Sequence, residues 1–335
     1  MSWHQATTLE KLADGPAVFK QNRRQIALFL VEDDVYAVDN RCPHEGYPLV
    51  EGTIDEQCQL TCNWHNWKFR LSDGRCVLGG DHVRRYDVKI EEGQVLVDLS
   101  EPSHEVVRDD VMDGLKTAFR KRDYGRLCRE ITRLHFNGLD PVDALREAIG
   151  WSYDRLEYGS THAYAAAADW AVMADSYADD WERRLVCLVE AVDHMAFDAL
   201  RHPEYAYAEP GESFSGRAFT EAIEGKQLEQ VEGLVRRGLA DGLHFPEMER
   251  AFTEAALAHY NDFGHSLIYV QKTGELIACL GHETEAWLLP ALARHLVYTS
   301  REDLIPEFSG YAGALADVTF VTGPDSDPPG DPLDT

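Results

Sequence analysis

Cys42-Pro43-His44 and, after seventeen intervening residues, Cys62-Asn63-Trp64-His65 are the most informative part of this chain. Each short segment offers one thiolate and one imidazole, so two loops must meet if the four groups are to serve one metal centre. A Cys2His2 zinc site is the plain alternative. Zinc sites usually pair their cysteines as C-x2–4-C. Here each pair mixes Cys with His, and C-x-H is very tight, so the spacing disfavours zinc.

Outward from the ligands, Gly46 and Leu49 follow the first loop, Trp67 and Phe69 follow the second, and an Asp73-Gly74 turn comes next. With these residues the segment resembles the Rieske family of [2Fe–2S] proteins. The resemblance implies that one iron takes Cys42 and Cys62 and the other takes His44 and His65. It also implies a glycine that lets the backbone close over the cluster, and aromatics packed beneath it. Replacing two anionic thiolates by two neutral imidazoles makes reduction easier than in an all-cysteine ferredoxin. The high-potential proteins of respiratory bc complexes carry a further, disulfide-bonded cysteine in each loop. This chain has Glu45-Gly46-Tyr47 and Asn63-Trp64 there, and Asn66 where those proteins usually have serine. With fewer donors to the sulfurs, the expected potential is near the low end of the Rieske range, about −150 mV. That suits donation to an oxygen-activating iron better than acceptance from a quinol.

At 335 residues the chain is long enough for two domains with proper cores. The formal charge of −27 is uneven. Residues 1–100 hold 16 acidic and 11 basic side chains, a balance of −5, and the remainder carries −22. Such a field repels phosphate backbones, so nucleic acid and anionic membrane surfaces are poor partners. No apolar run approaches a membrane span, and Met1–Glu10 lacks the layout of a signal peptide. Cys58, Cys76, Cys128, Cys187 and Cys279 read as reduced packing residues, which fits a cytoplasmic protein.

Two textures follow one another. Up to Leu99, short β-rich runs (27–31, 35–38, 86–90 and 95–97) alternate with turn signals such as Glu32-Asp33-Asp34 and Glu92-Gly93. From Val106 onward Ala, Leu, Glu and Arg dominate at helical spacing, with roughly ten helices expected. Breaks are expected at Asn137-Gly138, Tyr158-Gly159, 203–216, Gly242 and Gly264. The expected fold is an α+β multidomain chain: an all-β Rieske sandwich (1–99), a linker (100–106), an all-α helical domain (107–322) and a disordered tail (323–335). A ring-hydroxylating Rieske oxygenase would instead continue with a β-rich domain holding iron through D-x2-H-x4-H. No two histidines here are spaced H-x4-H.

In the helical half, His162 falls in the first turn of a helix capped by Ser160 or Thr161, followed by consecutive alanines that let neighbouring helices approach. Glu190, His194, Asp198 and His202 form a stripe on one helix face. Inward, it resembles the lining of di-iron bundles; outward, it is a solvated face. His259 and His265 straddle an Asn261–Gly264 turn and can converge as ligands. Lys272, two turns beyond His265, would if buried need a depressed pKa, an ion pair or carboxylation. For any single one of these histidines, a satisfied core residue is the commoner outcome.

The segments T-H-A-Y-A-A-A-A-D-W, D-H-M-A-F-D and F-G-H-S-L-I-Y are similar to the histidine blocks of questin-oxidase-like proteins, helical non-haem iron enzymes that open aromatic polyketide rings with O2. The resemblance implies His162, His194, His259 and His265 as ligands of a mononuclear Fe2+. The expected function is then an oxidoreductase in which a Rieske cluster, loaded by an NAD(P)H-dependent reductase or a ferredoxin, passes single electrons to that iron. The iron activates O2 against a small hydrophobic or aromatic substrate. A homo-oligomer would serve if the cluster and iron of one chain lie too far apart. Two rivals are a carboxylate-bridged di-iron oxygenase built on the Glu190 stripe, and a Rieske ferredoxin-like carrier with a non-catalytic docking module.

Overall fold

The first unit is woven from short antiparallel strands, β1 (Trp3–Thr8), β2 (Ala17–Gln21), β3 (Arg24–Val31), β4 (Asp34–Asp39), β5 (Thr53–Ile54), β6 (Gln59–Thr61), β7 (Lys68–Arg70), β8 (Cys76–Leu78), β9 (Arg85–Tyr86), β10 (Val88–Glu91) and β11 (Gln94–Asp98), with a short helix α1 (Leu9–Ala13). They form three sheets in the orders β1-β11-β10, β2-β3-β4-β9 and β5-β6-β7-β8. The computed structural model describes residues 2–199 and 203–317, so His202 and the expected disordered tail lie outside the described residues. The described residues fall into two compact units, divided between Gly114 and Leu115.

Strand β3 shows why the run at 26–30 lacks the alternation of a half-buried strand. Ile26 and Leu28 enter one core with Leu12, Ala37, Val95 and Val97. Ala27 and Phe29 enter a second core with Val38, Cys42, Leu49, Leu60, Cys62 and Phe69. A strand buried on both faces needs apolar residues at every position. The second core lies directly under the two cysteines. The run at 86–90 is not one strand. It breaks at Asp87, with Tyr86 pairing to Ala37 of β4 and Val88 to Val97 of β11. The chain changes sheets there, and the Tyr86 hydroxyl, buried, donates to Asp39 at 2.6 Å.

Among the described residues the second half is built from helices: α2 (His104–Lys121), α3 (Tyr124–Phe136), α4 (Asp143–Ser152), α5 (His162–Ser176), α6 (Trp181–Ala199), α7 (Gly216–Glu224), α8 (Leu228–Ala240), α9 (Phe245–Leu257), α10 (His265–Leu280), α11 (Glu285–Tyr298) and α12 (Tyr311–Ala316). No described helix is long and apolar enough to cross a membrane. Helix α5 packs on α6 and α10, and α11 packs on α8, α9 and α10. α11 is buried from Leu288 to Val297. α5 buries one face only. Ala163, Ala167, Ala168, Ala171 and Ala174 are buried, while Asp169, Val172 and Met173 are exposed.

The expected break at 203–216 is an ordered non-helical strap at residues 205–208, and the helices supply its hydrogen bonds. Arg294 donates to the carbonyls of Tyr205 (3.1 Å) and Ala206 (2.9 Å) and to the Glu232 carboxylate (2.7 Å), while Ala208 N donates to Glu232 at 2.9 Å. The Arg294 and Glu232 side chains are 3 % and 2 % exposed. Glu232→Ala would leave a buried guanidinium unpaired, and the expected cost is about 3–5 kcal/mol. Urea unfolding of the variant measures it, and a loss below about 1 kcal/mol would contradict this account.

Candidate metal centres

The loops carrying the N-terminal ligands are built alike. Cys42 N donates to Tyr47 O at 2.9 Å and Gly46 N to Cys42 O at 2.8 Å. In the second loop Cys62 N donates to Trp67 O at 2.8 Å and Asn66 N to Cys62 O at 2.9 Å. The fourth residue after each cysteine is left-handed, Gly46 at φ +78° and Asn66 at φ +60°. Glycine and asparagine are the residues that tolerate this conformation. Asn40 braces the first loop, accepting from Leu49 N through its carbonyl and from Val50 N through its side chain.

These loops bury both thiols and expose both imidazoles. The Nδ1 atoms of His44 and His65 face one another at 3.0 Å. Two imidazoles bound at about 2.1 Å to one metal, roughly at right angles, stand about 3 Å apart. The donor set therefore fits a Rieske cluster. Burial, with Cys62 alongside, pushes the Cys42 thiol up to about 11 against the weaker pull of the His44 backbone amide. At neutral pH such a thiol stays protonated until a bound metal displaces the proton. His44 stacks on Trp67 with centroids 4.6 Å apart. Glu45 Oε2 lies 3.7 Å from His65 Nε2.

In the helical unit the residues expected as ligands part company. Thr161 caps α5, accepting from Ala163 N at 3.2 Å, and donates to Asp198 Oδ2 at 2.5 Å, which sets His162 beside the end of α6. The His162 and His265 rings are 5.0 Å apart. His265 Nδ1 donates to the Asp262 carbonyl at 2.6 Å, leaving Nε2 its lone pair. The turn behind it is strained, with Asp262 and Phe263 both left-handed at φ +48° and +51°. His259 is engaged elsewhere: Nδ1 meets Asp303 at 3.0 Å and Nε2 meets Glu224 at 2.7 Å. His194 is half-buried on α6, and Glu190 accepts from the Tyr124 hydroxyl at 2.5 Å. Lys272 takes the ion-pair option, bound to Asp169 and Glu275 at 2.7 Å each, and the Asp169 hydrogen bond leads in raising its pKa.

One participant was missed in the sequence. His295 of α11 packs on Tyr269 with centroids 4.6 Å apart, and Tyr269 also contacts His162 and His265. Burial first, then His265 and His162, hold the His295 pKa down to about 4, so its ring is neutral and able to ligate. A cavity of about 470 Å³ opens on His162, Asp198, Tyr269 and His295. Ser160, buried in its wall, has an Oγ without a hydrogen-bond partner. Gly159 lets this wall reach α11, since a Cβ there would stand 2.2 Å from Ala291 O. His162 and His295 line this space and His265 touches His162 beside it, so three helices each bring one histidine around Tyr269.

A second cluster was also missed: His244, His282 and Glu285, whose ligand atoms lie within 4.8 Å of one another. This is a donor set of the facial-triad type, compatible with mononuclear iron. The three residues are far apart or unremarkable in sequence, and only the fold joins them.

The profile of the Rieske [2Fe-2S] domain family matches residues 2–90. The chain is 31 % identical over 96 residues to the 3-phenylpropionate/cinnamic acid dioxygenase ferredoxin subunit of Photorhabdus laumondii, covering 28 % of this chain and 91 % of that protein. It is 28 % identical over 103 residues to the ferredoxin component of the naphthalene 1,2-dioxygenase system of Pseudomonas putida, covering 30 % and 98 %. Among solved structures, the ferredoxin of carbazole 1,9a-dioxygenase from Nocardioides aromaticivorans matches with 26 % identity and a TM-score of 0.29, covering 30 % of this chain and all of that one.

Proposed function

Since this chain belongs to the Rieske [2Fe–2S] family through residues 2–90, we propose that it is an oxygenase whose helical unit holds an electron-accepting, histidine-ligated iron at the cavity of His162, His265 and His295. The groups so held supply one-electron transfer at the N-terminal loops and O2 chemistry at the cavity. The remainder is the work of this chain's residues. Cys42 and Cys62 keep their ligand atoms dry, while His44 and His65 face solvent, where a reductase or ferredoxin can approach.

The observation that carries the reading is His295: a buried neutral imidazole in the wall of a cavity that His162 also lines. Its volume of about 470 Å³ lies within the range of sites for small molecules. Tyr158 and Tyr298, edge to face at 5.2 Å, line it and favour a hydrophobic, aromatic substrate. His244 and His282, 50 % and 66 % exposed, close on the buried Glu285 carboxylate instead and lie outside this cavity.

Iron content with electron paramagnetic resonance of reduced and oxidised protein tests the proposal. About three irons per chain are expected, two in the cluster and one outside it. About four would favour the di-iron rival, and about two, all in the cluster, would leave an electron carrier.

A further inference from the structure

His244, His282 and Glu285 stand apart from the cavity residues named above. We propose that they form a second metal site, which takes one divalent cation of the zinc class and clasps the N-termini of α9 and α11 together. The Glu285 carboxylate is the fixed point. Its side chain is 3 % exposed. Oε1 accepts from Phe245 N at 3.1 Å, which seats Glu285 of α11 against the first residue of α9 before any cation arrives. The two imidazoles close on the same carboxylate: His244 Nδ1 is 2.8 Å from Oε2 and His282 Nδ1 is 3.0 Å from Oε1. Their rings are 4.6 Å apart.

Those separations match the edges of a coordination polyhedron with bonds of about 2.1 Å, which are about 3 Å at right angles. A cation entering here would take the lone pair of each Nδ1, with each neutral ring carrying its proton on Nε2, and keep the carboxylate as its anionic ligand. Exposure of both histidines gives the cation a path from solvent and leaves room for water on its remaining positions. Two nitrogens and one carboxylate oxygen suit zinc and its late first-row neighbours over magnesium or calcium. The chain enters the site through Gly281 at φ +101°, a conformation that other residues rarely adopt, so glycine suits the turn into His282. The ligands come from positions 41 residues apart. A bound cation therefore stabilises the helical unit by linkage, as any ligand of the native state does.

The test uses the full chain with its iron in place, cleared of loosely held metal by brief chelation and desalting, then titrated with zinc chloride by calorimetry. One zinc per chain is expected, with an affinity at or below about 10 µM and a Tm raised by a few degrees. His282→Ala, at an exposed position, should weaken uptake at least about 30-fold and remove the Tm rise, while visible absorption and iron content stay unchanged. His244→Ala should do the same. No saturable uptake, or uptake that both variants leave intact, overturns the proposal. An adventitious cation only, bound more weakly than about 100 µM, does so equally. If His282→Ala lowers native iron by one per chain and His265→Ala does not, the triad is itself the iron site and the cavity reading fails with this proposal. If zinc binds as expected but the cavity holds no iron, the proposed function fails alone.

Discussion

His65→Ala protein should emerge colourless, with iron content lowered by about two per chain. Three of the four residues that would hold the cluster would remain, and the position left by His65 would open the site to solvent. The variant is a fair probe because His65 is exposed and belongs to neither of the two cores beneath the loops. The backbone bonds that close its loop run from Cys62 to Trp67 and from Asn66 to Cys62, and involve none of its side-chain atoms. Circular dichroism should therefore change little while the reddish absorption vanishes. Glu45→Gln is the matched control, since it removes a charge 3.7 Å from the same ring without removing a ligand. It should keep the colour. A coloured His65→Ala protein with full iron would mean that the pairing of His44 and His65 on one metal is wrong.

What could be read in advance followed from chemistry confined to short segments. Cys42, His44, Cys62 and His65 announce themselves by residue type and spacing, and the two-sided burial of β3 writes an unbroken apolar run. β1 left no such mark, because Trp3–Thr8 is a mostly half-buried strand of mixed polarity whose partner β11 lies some ninety residues away. The strands β5 to β8, of two or three residues each, are too short for any period to register. Asp87 divides one β-rich run between two sheets, a decision made by partners at Ala37 and Val97 and not by local propensity. His295 was hidden for a different reason. It sits in A-L-A-R-H-L-V-Y, where a single histidine reads as core. The usable signal was the adjacent pair Arg294-His295 inside an otherwise apolar helix, since two buried polar groups in succession must both find partners. His259 shows the reverse. It lies near His265 in sequence, yet Glu224 and Asp303 occupy its two nitrogens.

That contrast gives the second large effect its control. His265→Ala should keep the Rieske signal of the reduced protein and lose the helical iron, taking the content from about three per chain to about two. Reductase-driven oxidation of substrate should fall at least about 100-fold, since loss of a ligand exceeds the 10–100-fold typical of groups that merely orient one. The argument rests on how this ring is held. Its Nδ1 donates to the Asp262 carbonyl, so Nε2 is the free lone pair, and the left-handed pair Asp262-Phe263 fixes that carbonyl in place. Phe263 N in turn donates to the buried Glu302 at 3.3 Å, and Ser300 O accepts from Asp262 N at 3.2 Å. Backbone strain of about 1–3 kcal/mol per residue persists only where surrounding bonds enforce it. In this turn its effect is to aim one imidazole at His162. His259→Ala would instead remove two carboxylate contacts and no free lone pair, so it should cost stability and leave the iron count at three. Should His259→Ala lose the iron while His265→Ala retains it, the ligands lie on the other side of the turn and the cavity is not the metal site.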